Sequence, residues 1–295
     1  MNTHDIAAFL AVVETGSIVA ASAKLNLTQP GVTRRVQNLE RLLGADLLDR
    51  QSKPLKPTDA GRNAYDLGRQ VLHAVEKLQL AFHPEAEIGG DLRLGIAPYL
   101  ASASLNDPIN RLRDAFPRLT IRIVSAWSSE IMDMVGDGRL DAGAVFLPKG
   151  EIPRPELTAQ RIASQPIVVV ASRDTPLPER PRLADLSALP WIVNQEGCGM
   201  RLAIRTALEA RQLPFEVTIE ATGADAQLSL VSRGIGIGLV TEENLRASRF
   251  RRQVRELKVR DFHTAVCAWM VQHQPAPRLA APIQLFRDRL AAAMG

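Results

Sequence analysis

Over the first eighty residues, apolar positions recur at helical spacing and stop where small or polar residues let a chain turn. Ile6, Phe9, Leu10 and Val13 predict a helix from Asp5 to Glu14, ended by Gly16. Ser17 caps a second helix with Ile18, Ala21 and Leu25 inward. Thr28 caps a third that starts at Gln29-Pro30 and carries a stripe of Val32, Val36, Leu39 and Leu43. Leu25-Asn26-Leu27-Thr28 leaves room only for a turn, so the pattern is that of a helix-turn-helix. Beyond the capping Thr28 and Pro30, the third helix turns Gln29, Thr33, Arg34 and Gln37 outward. Those side chains can reach base edges and phosphates from within a major groove. A merely solvated face would also be polar; the order of stripe, turn, cap and polar N-terminal face favours DNA.

Leu47 to Arg50 and Leu55 to Pro57 then predict a short hairpin around Gln51-Ser52-Lys53-Pro54, a wing that holds Arg50 and Lys53 near a neighbouring groove. Lys and Arg in a turn are otherwise simply solvated. Thr58 caps a long helix from Asp59 to about Phe82. Ala64, Val71 and Leu78 fall in one heptad register, Leu67, Ala74 and Ala81 in the other. So narrow a seam predicts pairing with a second copy, which would set two recognition helices on a pseudo-palindromic site. Packing against the chain's own N-terminal helices is compatible with a different face of the same helix.

Residues 83–90 are polar and broken by Pro and Gly, as in a linker. Beyond them strands alternate with helices. Leu92–Ile96, Thr120–Val124 and Asp141–Phe146 are strands, separated by a helix bearing Leu105, Ile109, Leu112 and Phe116 and another from Ser129 to Val135. They form a first parallel α/β unit. A second takes strands Ile167–Ala171, Trp191–Asn194, Val217–Ala221 and Ile235–Val240 with helices Met200–Arg211 and Asp225–Ser232. The strand Thr264–Met270 and a last helix with Ile283, Phe286 and Leu290 return to the first unit. Crossovers near Arg161–Ser164 and near Phe262 make two lobes.

Composition narrows the class only slightly. With 46% hydrophobic and 23% charged residues the chain is ordinary globular protein, and a net charge of +4 does not demonstrate a nucleic-acid partner. The distribution is more telling: Lys24 to Lys56 holds seven basic residues against three acidic ones, which suits a phosphate backbone. The start lacks a basic signal region, no apolar run reaches the length of a membrane span, and two cysteines make no disulfide framework. A cytoplasmic protein without a membrane partner is expected.

The N-terminal block resembles the LysR-type transcriptional regulators. The motifs are AAFLAVVETGS, AKLNLTQPGVTRRVQNLE, LLGADLLDR and LKPTDAG, and the match runs without a gap from about Ile6 to Gly61. Gly31, Thr33 and Leu48 stand where the family usually has Ala, Ser and Phe. WIVNQEGCGMR and SRGIGIGLV are landmarks of a second, looser match over the rest. The resemblance implies an N-terminal all-α winged helix-turn-helix (1–58) with a long linker helix (59–82) and a hinge (83–90). After these comes a C-terminal α/β two-lobed, periplasmic-binding-protein-like effector domain (91–295). One lobe takes about 91–161 and 264–295, the other about 162–263. It further implies a homodimer or homotetramer on double-stranded operator DNA, a small organic effector, and RNA polymerase as a further partner.

Ligands of such folds bind beyond the carboxyl ends of strands. The corresponding loops offer Tyr99, Ser102, Trp127, Ser128, Ser129, Phe146, Cys198, Gly199 and Gly223, a set suited to a small polar or anionic molecule. Capping is the competing role for the serines. Cys198, just before a helix, is expected to have a lowered thiol pKa. Some family members sense oxidants through a cysteine in this region, but no resolving thiol lies nearby and position 207 is Ala207. The glycines at 234, 236 and 238 enter a strand and are read as close backbone packing, not a phosphate cradle. His4, His73, His83, His263 and His273 show no metal-ligand spacing, and Arg249 to Arg255 reads as solvated surface. No catalytic set or cofactor fingerprint is found. An α/β enzyme or a transport receptor leaves residues 1–80 unexplained.

Overall fold

A computed structural model of the chain describes residues 2–81, 88–100, 105–273 and 277–294. Two compact units emerge, one over residues 1–86, the other over 87–136 and 140–295. The linker read at 83–90 lies mostly outside the described residues, as does Ser102.

In the N-terminal unit, α1 (Thr3–Thr15), α2 (Ile18–Leu25) and α3 (Gln29–Leu43) are delimited by the residues the sequence singles out. Gly16 closes α1 at φ 64°, and the side chain of Ser17 accepts from Ala20 N–H. Asn26 takes the left-handed turn at φ 53°, and Thr28 Oγ1 accepts from Gly31 N–H at 3.2 Å. Phe9, Val12, Ala21 and Val32 are fully buried, with Val36 and Leu39 nearly so. Leu43, read as part of that stripe, is instead 48% exposed beside Leu42, because the stripe runs on into an open apolar groove lined also by Leu67 and Val71. β1 (Leu48–Asp49) and β2 (Lys56–Pro57) form the antiparallel wing, and α4 (Asp59–Ala81) follows. Thr58 Oγ1 donates to Asp46 O at 2.7 Å and accepts from Gly61 N–H at 2.9 Å. A Cβ on Gly61 would lie 2.0 Å from Leu47 O, so only glycine lets α4 start this close to the wing.

The C-terminal unit is a nine-stranded mixed sheet, where the sequence predicts parallel units. β3 (Gly89–Ile96) runs parallel to β4 (Arg118–Ser125) and β5 (Ala142–Pro148). Helices α5 (Asn106–Ala115) and α6 (Ser128–Gly136) connect them. The antiparallel character comes from the two strands that join the lobes. β6 (Thr158–Ser172) carries the chain out and β11 (Ala265–Gln272) brings it back, so they must run in opposite directions. β6 pairs with β11 over 158–166, then with β9 (Ile237–Thr241) and β10 (Val254–Leu257) from Ile167 onward. The change of partner therefore falls at Pro166/Ile167, slightly after the predicted crossover.

In the second lobe β7 (Trp191–Val193) lies parallel to β8 (Val217–Glu220) and β9, with α8 (Gly199–Glu209) and α9 (Ala224–Ser232) around them. Two helices here are too short for periodicity to reveal, α7 (Leu183–Ser187) and α10 (Glu242–Ala247). The glycine run enters β9, where a Cβ on Gly236 would lie 2.4 Å from Pro190 O. The stretch from Arg249 to Arg255 is not simply solvated. Val254 is 2% exposed in β10, and Arg255 Nη2 donates to the carbonyls of Thr175 and Leu177 at 2.9 and 3.2 Å. The terminal helix α11 (Pro277–Met294) buries Ile283, Phe286 and Leu290 in the core.

Candidate functional site

Thr28 and Pro30 are exposed at the start of α3. Beyond them Gln29, Arg34 and Gln37 are exposed and Thr33 is half-buried, its hydroxyl donating to Gln29 O at 3.0 Å. Among the described residues the side chains of Gln29, Arg34 and Gln37 have no intrachain partner, nor has exposed Lys53 in the wing. Arg50 differs. Its Nη2 pairs with Glu40 Oε2 at 2.8 Å, and Glu40 Oε1 accepts from Leu47 N–H at 3.0 Å. Glu40, 7% exposed, thus ties the recognition helix to the wing. Sequence reading misses it, although its place beside the buried Leu39 is a signal. Arg50 is largely exposed, so its ion pair adds little; the buried Leu47 N–H matters more. Glu40→Ala is expected to cost about 1–3 kcal/mol by stranding that donor. Urea denaturation of the two proteins checks it.

On α4 the heptad positions remain largely uncovered. Leu67 is 53%, Val71 36% and Leu78 62% exposed; Ala74 is exposed and Ala64 half-buried. An apolar groove of about 520 Å³ runs between this face and Ile6, Leu39 and Leu43. Gly68, on the adjacent face, allows the approach to α1: a Cβ there would lie 2.9 Å from Ile6 Cγ2.

The strand-end loops of the C-terminal unit do converge between the lobes, and they meet in contact. Ala97, Tyr99, Trp127, Ser128, Phe146, Cys198 and Gly199 line a space of only about 10 Å³, room for one water at most. Tyr99 OH donates to Gln227 Oε1 at 3.1 Å and Trp127 Nε1 to Gln195 Oε1 at 3.4 Å, each bond joining one lobe to the other. At Gly199 a Cβ would lie 2.8 Å from Phe146 O. The Ser128 hydroxyl donates to Phe146 O at 2.9 Å and accepts from Phe146 N–H at 3.0 Å, so it anchors a strand end. Ser129 is exposed at the rim. Gly223 (φ 93°) donates its N–H to Asn194 Oδ1 at 3.3 Å. Sequence reading missed Asn194 and Gln227, which with Gln195 bind the loops together.

Cys198 departs from expectation. Burial pushes its thiol pKa up, overriding the N–H groups of Met200 and Arg201 and the Asn194 amide that favour the thiolate. Burial likewise raises the Tyr99 phenol. A thiol held protonated is a poor nucleophile, so the geometry lends nothing to redox sensing. Among the described residues no group of three or more His, Cys, Asp or Glu could hold a metal, and no helix is long and apolar enough to cross a membrane.

A winged helix-turn-helix followed by a two-lobed α/β domain defines a ligand-responsive DNA-binding class, and comparison with known proteins gives the family. Residues 3–62 match the bacterial regulatory helix-turn-helix protein, lysR family, and residues 85–295 match the LysR substrate binding domain. The chain belongs to the LysR family of transcriptional regulators. It is 29% identical over 249 residues to the HTH-type transcriptional regulator YeiE of Escherichia coli, covering 83% of each chain. To the activator CmpR of a Synechocystis species it is 23% identical over 293 residues, 97% of this chain and 94% of that one. Among solved structures, full-length OxyR from Pseudomonas aeruginosa, a cysteine variant, aligns at TM-score 0.71 and 18% identity over 98% and 94% of the chains. Full-length CbnR in complex with its target DNA aligns at 0.65 and 21% over 98% and 100%.

Proposed function

We propose that the chain acts in the cytoplasm as a homodimer, assembling further to a tetramer, whose α3 helices read a pseudo-palindromic operator. Gln29, Thr33, Arg34 and Gln37 contact base edges; Thr28, Pro30 and Lys53 lie along the phosphates, with Arg50 holding the wing. The observation that carries this is the row of outward α3 side chains without intrachain partners, on a helix whose other face is buried. Ala64, Leu67, Val71, Ala74 and Leu78 form the dimer seam. No cofactor or catalytic turnover belongs to this reading.

The control molecule is a small organic effector. It enters only when the lobes part, since the described cleft has room for about one water. Opening breaks the Tyr99–Gln227 and Trp127–Gln195 bonds and exposes Tyr99, Trp127, Phe146 and Cys198, with Ser128, Ser129, Gly199 and Gly223 around them. A ligand moves that equilibrium only by its differential affinity for the two arrangements. A metabolite screen on the full chain, read as a change in the footprint on bound promoter DNA, tests it. Ser129→Trp, a rim substitution, is expected to abolish the response and leave basal binding within about twofold. A response that persists in the variant places sensing elsewhere. Cys198→Trp is a poor probe because its side chain is buried and the space around it is filled.

A further inference from the structure

A cavity of the C-terminal unit lies apart from the cleft. It measures about 750 Å³, a volume typical of small-molecule sites, and lies where β6 changes partner. Its wall is the connector from β10 to β11. That connector is pinned by three backbone bonds: Val259 N–H to Leu257 O at 2.9 Å, Arg260 N–H to Pro181 O at 2.9 Å, and Ile167 N–H to Thr264 O at 3.0 Å. Lys149 N–H donates to Ala265 O at 2.9 Å and closes the other side. The floor is apolar, with Ile167, Val169, Leu257, Val259 and Phe262 all at most 8% exposed.

The rim is basic. Lys149, Arg180, Lys258 and Arg260 surround the floor with His263, against Glu242 and Glu256. Glu242 pairs with Arg246. Elsewhere in this unit Arg201, Arg205 and Arg211 each have a carboxylate partner. Among the described residues the four rim cations have neither an ion pair nor a side-chain hydrogen bond. Exposed cations are commonly just solvated. Four unpaired ones around a single concavity with an apolar floor focus a positive potential on it, which a bound anion relieves.

We propose that this cavity binds a multiply charged organic anion, a phosphorylated or polycarboxylate metabolite whose carbon skeleton rests on the Ile167–Phe262 floor. Lys149 and Ala265 belong to the first lobe, Arg180, Lys258 and Arg260 to the second. The ligand therefore bridges the lobes on β6 and β11 and couples to their opening by linkage. The site shares no lining residue with the cleft, and through that coupling each influences the other's occupancy.

Calorimetry on the full-length chain at constant ionic strength tests it, with citrate and a hexose bisphosphate as organic probes and inorganic phosphate for comparison. Saturable binding of one organic probe per chain is expected, with inorganic phosphate weaker. Lys258→Glu with Arg260→Glu, both exposed positions, is expected to weaken binding at least about tenfold, while the charge-matched control Arg113→Glu with Arg233→Glu leaves it within about twofold. Binding of citrate alone assigns a polycarboxylate, and of the bisphosphate alone a phosphoryl ligand. The proposal is overturned if neither organic probe saturates, or if the double reversal binds as the parent does. It is equally overturned if the reversal changes only binding to random duplex DNA, which would make the face a nucleic-acid contact.

Discussion

Leu67→Asp combined with Leu78→Asp is expected to convert the proposed dimer to monomer and to lower operator affinity by about a hundredfold or more. The two leucines lie on one face of α4, are 53% and 62% exposed, and share that face with Val71. Burying the exposed half of a leucine stabilises by roughly 1 kcal/mol. A two-fold seam uses each leucine twice, so about 4 kcal/mol is lost before charge is counted. Four carboxylates brought together in the seam add repulsion and a desolvation cost. Neither side chain belongs to the core of its own unit, so circular dichroism should report an unchanged fold. Sedimentation velocity at micromolar protein decides the matter: a double variant that still sediments as a dimer removes α4 from the interface.

The N-terminal unit was legible because local rules dominate it. Ser17, Asn26, Thr28 and Gly16 cap or end helices by chemistry confined to a few residues, and the structure uses each of them that way. Leu43 misled because periodicity locates a face, not the neighbour that covers it. Glu40 was missed for the converse reason: its partners, Leu47 N–H and Arg50, lie in the wing and appear only when the chain folds.

In the C-terminal unit most strand positions were readable, β10 excepted, and their directions were not. Alternation gives a strand, whereas pairing depends on where the chain has travelled, and β11 returns beside β6 over a hundred residues later. Of the loops named at the strand ends, those of Tyr99, Trp127, Phe146 and Cys198 meet across the cleft. What sequence could not give is that Gly199 lies against Phe146 O and that Tyr99 and Trp127 already bond across the lobes. The Cys198 thiol shows the same limit. Its position at a helix start argues for a low pKa, but burial is a tertiary property and dominates.

In the proposed function α3 is the element that reads sequence. Arg34 is exposed, lies in the first half of α3 and has no intrachain partner among the described residues, so Arg34→Ala removes nothing the fold needs. A bidentate contact to a base contributes about 1–3 kcal/mol of discrimination, and a two-fold assembly makes it twice. Lys53→Ala is the contrast: as the proposed phosphate contact, its loss is expected to lower affinity on every sequence and reduce the salt slope by about one unit. The most direct measurement selects bound fragments from genomic DNA with the full chain. It then compares affinity for a selected fragment and a random duplex of equal length, at one salt concentration, for the parent and Arg34→Ala. If α3 reads sequence, the ratio of the two affinities falls by about thirtyfold or more while random-duplex binding changes by only a few-fold. Equal losses on both duplexes would contradict it and reduce Arg34 to a backbone contact.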